Sequence, residues 1–258
     1  MLSRRLSAVL ALGLLAPLAL ACGTASAGHS AGHSEGRLAA RPHATSAGCP
    51  AGLHRLGVDP ERESLLYVPE SAAKSSARLP LVVYLHGATG QASRGIDRLR
   101  PLADARGVLV LAPQALDYTW DGIHGSLGPD VARVDRALAL AFDRCGVDPA
   151  RVFVSGFSDG ASYALTLGLA NGELFSKVVA FSPCLISSDI APSGRPAFFL
   201  SHGRADEILP IERCGRPLVK SLERAGYSVK YQEFDGRHEI PPLIAEDAFS
   251  WLLGPAPR

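Results

Sequence analysis

Residues 156–160 read Gly-Phe-Ser-Asp-Gly and set the hydroxyl of Ser158 between two glycines. The residues ahead, Arg-Val-Phe-Val-Ser at 151–155, suit a buried strand, and the small residues from Ala161 to Ala170 suit a helix. A serine on such a strand-to-helix turn is presented for attack on a carbonyl carbon. Glycine is needed on both sides because side chains there would strike the strand and the helix. The hydroxyl stays a poor nucleophile until a base takes its proton. His238, in Phe-Asp-Gly-Arg-His-Glu just past an alternating run at 228–234, is the base that the spacing offers. A carboxylate must orient that imidazole and stabilise its cation. Asp206, in His-Gly-Arg-Ala-Asp directly after the apolar run 197–201, is placed for this, with Glu207 as its competitor. The chemistry implied is acyl transfer through a covalent intermediate on Ser158.

Acyl transfer also needs donors for the oxyanion, commonly worth about 3–4 kcal/mol each. The backbone N–H of Asp159 is one candidate. The second should come from His-Gly-Ala-Thr-Gly at 86–90, with Ala88 N–H preferred and Thr89 as the alternative. Thr89, Tyr118 and Trp120 are candidates for lining a substrate pocket, although packing is an equal role for the two aromatics. Asp121 could hydrogen-bond substrate, but a solvated or loop-capping carboxylate is the reading preferred. His86 and His202 end strands ahead of glycine and read as loop-shaping residues, and His54 falls before the sheet. Other chemistries find little support: the sequence has no phosphate-cradling glycine signature and no zinc-type His-Glu-x-x-His helix. No cofactor or metal is expected.

The elements that must position these groups alternate. Strands are expected at 64–68, 81–85, 108–112, 152–155, 177–181, 197–201 and 228–234. Helices are expected at 130–145 with Asp130 as N-cap, at 161–170, at 211–225 starting after Pro210, and at 243–253. Alternation of this kind predicts an α/β fold with a mostly parallel sheet covered by helices on both faces. Ligands bind such sheets outside the carboxyl ends of the strands, which is where all three candidate residues fall.

The 258 residues carry 26 basic and 25 acidic side chains, so no strong field points to nucleic acid or an anionic surface. Residues 1–27 read as an export signal, with Arg4 and Arg5 ahead of an apolar run at 6–20 that is short for a membrane span. Cleavage before Gly28 fits Ala25-Ser26-Ala27; cleavage before Cys22 would resemble a lipoprotein signal and would lipidate that cysteine, the one membrane link the sequence suggests. Residues 28–47, with Ala-Gly-His-Ser twice, read as a flexible linker, and 48–258 as one catalytic domain. His29, His33 and His43 fit a solvated linker better than a metal site. Cys49, Cys145, Cys184 and Cys214 allow two disulfides in an oxidising compartment or four separate buried thiols. Their placement on the expected fold favours Cys184–Cys214 near the site and Cys49–Cys145 away from it.

Four segments carry a resemblance: Leu-His-Gly-Ala-Thr-Gly at 85–90, Val-Ser-Gly-Phe-Ser-Asp-Gly at 154–160, Ser-His-Gly-Arg-Ala-Asp at 201–206 and Asp-Gly-Arg-His at 235–238. Over 49–253 the chain resembles the α/β-hydrolase superfamily, whose chain order of nucleophile, acid and base it shares. Within it, the chain looks like the secreted esterases grouped with polyhydroxybutyrate depolymerases and feruloyl esterases, and like the phospholipase/carboxylesterase group. The resemblance implies a carboxylic-ester hydrolase without cofactor, acting on small-molecule esters. Ala161 and Asp159 depart from the depolymerase pattern, and there is no evident lid insertion or polymer-binding domain. A serine peptidase on short peptides and a catalytically silent envelope binding protein are the alternatives on the same scaffold.

Overall fold

The computed structural model describes residues 36–45, 49–125, 127–188 and 190–254. Eight strands form one sheet: β1 (Gly52–Arg55), β2 (Leu65–Val68), β3 (Leu79–Leu85), β4 (Leu109–Ala112), β5 (Val147–Phe157), β6 (Lys177–Phe181), β7 (Ala197–Gly203) and β8 (Val229–Phe234). Their spatial order is β1-β2-β4-β3-β5-β6-β7-β8. The β1–β2 and β2–β4 pairs are antiparallel, and every pairing from β4 across to β8 is parallel. Among the described residues six α-helices accompany the sheet: α1 (Glu70–Ala73), α2 (Ala92–Arg106), α3 (Pro129–Arg144), α4 (Asp159–Ala170), α5 (Gly215–Arg224) and α6 (Pro242–Leu253).

Successive strand residues point to opposite faces, and the core divides accordingly. Leu81, Val83 and Leu85 of β3 pack with Val152 and Val154 of β5 against α3, α4 and α5. Val82 and Tyr84 of β3 pack with Phe153, Val179 and Phe199 against α2 and α6. Both faces of the central strands are therefore dry, which explains why β3, β4, β6 and β7 are buried along their whole length. Burial also pushes the Tyr84 phenol up to about 12, as expected for a group whose charged form cannot be solvated there.

Several expectations need correction. Helix α2 was not expected; Pro101 sits inside it, and its exposed face is crowded with arginine. His54 lies in strand β1 rather than ahead of the sheet. Asp130 is not the N-cap of α3. That position belongs to Gly128, and Asp130 is buried in the first turn. The helix expected from residue 211 begins only at Gly215.

The flexible linker was expected to reach residue 47, but residues 36–45 lie against the domain. Leu38 is buried, its N–H donates to Asn171 Oδ1 at 2.8 Å, and Asn171 Nδ2 donates to Gly36 O at 2.8 Å. The N–H groups of Ala39 and Ala40 both donate to Asp135 Oδ1, at 2.7 and 2.8 Å. Side chains far along the chain thus satisfy backbone groups of this segment, a pattern that local composition does not reveal. The export-signal reading of 1–27, Cys22, His29 and His33 all fall outside the described residues.

Candidate active site

Strand β5 ends at Phe157, and Ser158 turns directly into α4 with φ 57° and ψ −123°. A non-glycine residue held there is strained by roughly 1–3 kcal/mol, a cost that persists only where the surroundings fix the turn. The flanking glycines make that fixing possible. A Cβ on Gly156 would collide with the backbone of Gly160, and one on Gly160 would collide with the carbonyls of Leu85 and His86. The turn is packed so tightly against the end of β3 that only hydrogen fits at either position.

Two further loops converge on Ser158. After β7, the chain turns through Arg204 and Ala205 to Asp206; after β8, it turns through residues 235–237 to His238. Backbone bonds zip these loops together, Arg204 N–H to Phe234 O at 2.9 Å and Ala205 N–H to Gly236 O at 3.0 Å. Ion pairs from Arg204 to Asp235 (2.7 Å) and from Arg237 to Glu207 (2.6 Å) cross the same seam. Glu207, the competing acid of the sequence reading, is thereby engaged on the surface and is not at His238.

The result is a continuous line of three side chains. His238 Nε2 lies 2.9 Å from Ser158 Oγ, and His238 Nδ1 lies 2.7 Å from Asp206 Oδ2. The carboxylate of Asp206 is fully enclosed. Its Oδ1 accepts from the N–H groups of Ile208 (3.0 Å) and Leu209 (2.8 Å), which fix its direction. The Phe157 ring packs on the imidazole with centroids 4.7 Å apart.

His202, four residues before Asp206, was read as a loop-shaping residue and has a more direct place. It is completely buried, its Nε2 donates to Leu209 O at 2.7 Å, and it stands 3.3 Å from Asp206 Oδ2. Burial holds its pKa below the usual histidine value of 6.5, so the ring is a neutral wall of the Asp206 niche. Its position at the end of β7, four residues ahead of Asp206, was the only sequence signal for this contact.

The 86–90 segment abuts the nucleophile: a Cβ on Gly87 would come within 3.2 Å of Ser158 Cβ. Its anchor is His86, buried and also held below its usual pKa by desolvation. The neutral ring accepts at Nε2 from Ala115 N–H (3.1 Å), and Gln114 Nε2 lies 2.9 Å from the same nitrogen. Trp120 Nε1 donates to His86 O at 2.7 Å. Of the two alternatives for the second oxyanion donor, Thr89 N–H is already spent on Tyr118 O at 2.6 Å. Ala88 N–H and Asp159 N–H meet no protein acceptor among the described residues. The Asp159 carboxylate, for its part, accepts from Thr119 Oγ1 at 2.7 Å.

The aromatic pocket candidates separate. Trp120 is wholly buried and stacks on Tyr163 at 5.1 Å, so it packs the core beneath the loop instead of lining a pocket. Tyr118 stands half exposed and, with Thr89, lines a cavity of about 500 Å³ beside the 86–90 segment. Asp121 does cap its loop, accepting from Gly128 N–H, Asp130 N–H and Tyr163 Oη–H. Cys184, in the loop after β6, is bonded to Cys214 at the start of α5, and Cys49 is bonded to Cys145 at the far end of α3.

The chain is similar to known proteins in fold and in part of its sequence. The crystal structure of esterase PE8 superposes with a TM-score of 0.59 at 24% identity, over 72% of this chain and 95% of that one. The chain has the α/β-hydrolase fold. The phospholipase/carboxylesterase family model matches the chain over residues 134–252, a stretch that includes Ser158, Asp206 and His238. It is 31% identical to the putative esterase NocK of Nocardia uniformis subsp. tsuyamanensis, over 52% of this chain and 42% of that protein. It is 29% identical to feruloyl esterase C of Emericella nidulans, over 58% and 57% of the two chains. The chain spans about half the length of the curated relatives it matches.

Proposed function

We propose that this chain is an exported serine hydrolase that cleaves carboxylic esters through Ser158, His238 and Asp206. The observation that carries the reading is the pair of contacts at His238: 2.9 Å to the Ser158 hydroxyl on one nitrogen and 2.7 Å to the enclosed Asp206 carboxylate on the other. One imidazole between a hydroxyl and a fixed carboxylate can take a proton and return it, and few structural roles need both contacts.

In the proposed cycle, Ser158 Oγ attacks the ester carbonyl as its proton passes to His238 Nε2. The carbonyl oxygen becomes an oxyanion facing the N–H groups of Ala88 and Asp159. Collapse of that intermediate breaks the ester C–O bond, and the proton on His238 leaves with the alcohol. Water then attacks the acyl-Ser158, gives its proton to His238, and the acid departs as Ser158 regains its hydrogen. Asp206 stays ionised throughout and balances the transient imidazolium. Asp159, at the positive end of α4, adds that helix's N-terminus to the oxyanion site.

Export rests on the leader composition and on the two disulfides, which form and persist in oxidising compartments. No described helix is long and apolar enough to cross a membrane. The activity test is hydrolysis of p-nitrophenyl acetate and labelling by a fluorophosphonate. Both are expected in the unaltered protein and absent from Ser158→Ala, with kcat lower by roughly 10⁴-fold or more. Undiminished turnover by Ser158→Ala would refute the assignment.

A further inference from the structure

A recess of about 220 Å³ opens beside the 86–90 segment, on the α2 side of the nucleophile. Its walls include Ala88, the proposed oxyanion donor, and Phe157, the ring that packs on His238. A substrate with its carbonyl at Ser158 would therefore extend one of its arms into or across this recess. The far wall is α2, which presents Arg94 and Arg98 to it. The two arginines stand one helical turn apart, so their side chains project from the same face.

Neither arginine has an ion-pair partner among the described residues. The acids of α2 are engaged elsewhere: Asp97 faces Arg100 at 3.7 Å, and Asp104 accepts from Tyr67 Oη at 2.6 Å. Arg98 instead holds its guanidinium carbon 5.9 Å from the centre of the Phe157 ring, at the long end of cation–π range, which leaves its N–H fork free for a ligand. No carboxylate lines the recess. The N-terminal end of α2 opens onto it too; Ala92 N–H is taken by Gln114 Oε1 at 2.8 Å and Gly95 N–H by Gln91 O at 3.2 Å, and the end of the helix still adds a modest positive potential at the same place. Two guanidinium groups without an ion-pair partner beside a reaction centre suit a substrate that brings a negative charge.

We propose that the esters cleaved here carry a second, ionised acid group, a carboxylate, which Arg94 and Arg98 bind at the mouth of this recess. The inference rests on the esterase reading of Ser158 and names the substrate class of that same site. It makes the enzyme a hydrolase of half-esters of dicarboxylic acids or of esters whose alcohol bears a carboxylate. The planar fork of arginine pairs with a carboxylate through two parallel hydrogen bonds, which lysine cannot do.

The test compares mono-p-nitrophenyl glutarate with the same ester bearing a carboxamide in place of the free carboxylate. The quantity read is the ratio of the two kcat/KM values. The unaltered protein should favour the carboxylate by roughly tenfold, mostly through KM, with the ratio shrinking as salt rises. In the double variant Arg94→Ala/Arg98→Ala the ratio should fall to about one, and Arg94→Lys/Arg98→Lys should restore it only in part. Both positions are exposed, so a thermal melt matching the unaltered protein is expected. Equal use of the two esters, or a ratio that survives the double alanine variant, would overturn the proposal. Turnover of neither ester together with no fluorophosphonate labelling would instead overturn the esterase reading, and this proposal with it.

Discussion

At the scale of single residues, the candidate site depends on the Asp206 carboxylate being fixed in direction. Its two oxygens meet two backbone N–H groups, the His238 ring and the buried His202. Replacing it by asparagine keeps the shape but changes what Nδ1 of His238 faces: an amide can donate to that nitrogen and stabilise the wrong tautomer. Asp206→Asn is therefore expected to lower kcat for p-nitrophenyl acetate by up to about 10⁴-fold with KM little changed, since the bound ester does not touch this residue. Steady-state kinetics check it; a loss confined to KM would contradict the role. The residues that meet at Ser158 were legible in the sequence because each has a sharp local signature: glycines around a serine, and a carboxylate and a histidine each just past a strand. Trp120 was not legible in the same way. An aromatic residue in a long loop carries no mark of which way its ring turns, and here the indole N–H satisfies His86 O while the ring fills the core beside Tyr163. His202 was equally hidden, since only the fold shows that its ring lies behind Asp206.

At the scale of elements, the 86–90 segment must hold Ala88 N–H in place with no regular structure of its own. It is braced from below by Trp120, and from the side by Ala115 N–H and Gln114 on the neutral His86 ring. Trp120→Phe removes one donor and leaves His86 O unpaired in a dry site, at a cost of roughly 1–3 kcal/mol. The expected outcome is a lower urea midpoint together with a several-fold fall in kcat and a small change in KM. Unchanged kcat at reduced stability would mean that the brace serves the core alone. Strands such as β3 and β7 were readable as continuous apolar runs because helices cover both their faces. Helix α2 was not readable: a narrow apolar stripe of Ile96, Leu99 and Ala103 carries it onto the sheet, while Pro101 and the arginines mask the period. Residues 36–45 were unreadable for a different reason. Their partners, Asp135 and Asn171, lie about a hundred residues away, and a segment docked by remote side chains looks like linker in its own composition.

At the scale of the whole molecule, two kinds of restraint act over long distances. Cys49–Cys145 ties the segment ahead of β1 to the end of α3 across 96 residues. A closed loop of that size removes much of the unfolded chain's freedom, and its loss through Cys49→Ser/Cys145→Ser is expected to cost about 2–5 kcal/mol in chemical denaturation. The second restraint is the neutrality of buried imidazoles. His86 and His202 both sit below their usual value of 6.5, each first because burial penalises the cation. The charge of Arg62 lowers His86 further, whereas the Asp206 and Glu233 charges pull His202 back up only in part. In the unfolded chain both rings take up protons once the pH falls below about 6.5, while the folded protein resists. The unfolded state then binds more protons, so stability must rise with pH through this window. The contribution is complete above 6.5 and is lost as the pH drops, by at most about 1.4 kcal/mol per pH unit for each ring. Carboxylates add their own loss only in a more acid range: Glu233, held down to about 2 chiefly by Arg216, is affected below its ordinary value of 4.5. Asp130 works in the opposite sense there, because burial raises its pKa. Urea midpoints measured from pH 7.5 down to 5 should therefore fall, and His202→Gln should flatten that slope. A midpoint constant across the same range would show that neither ring is held neutral by the fold.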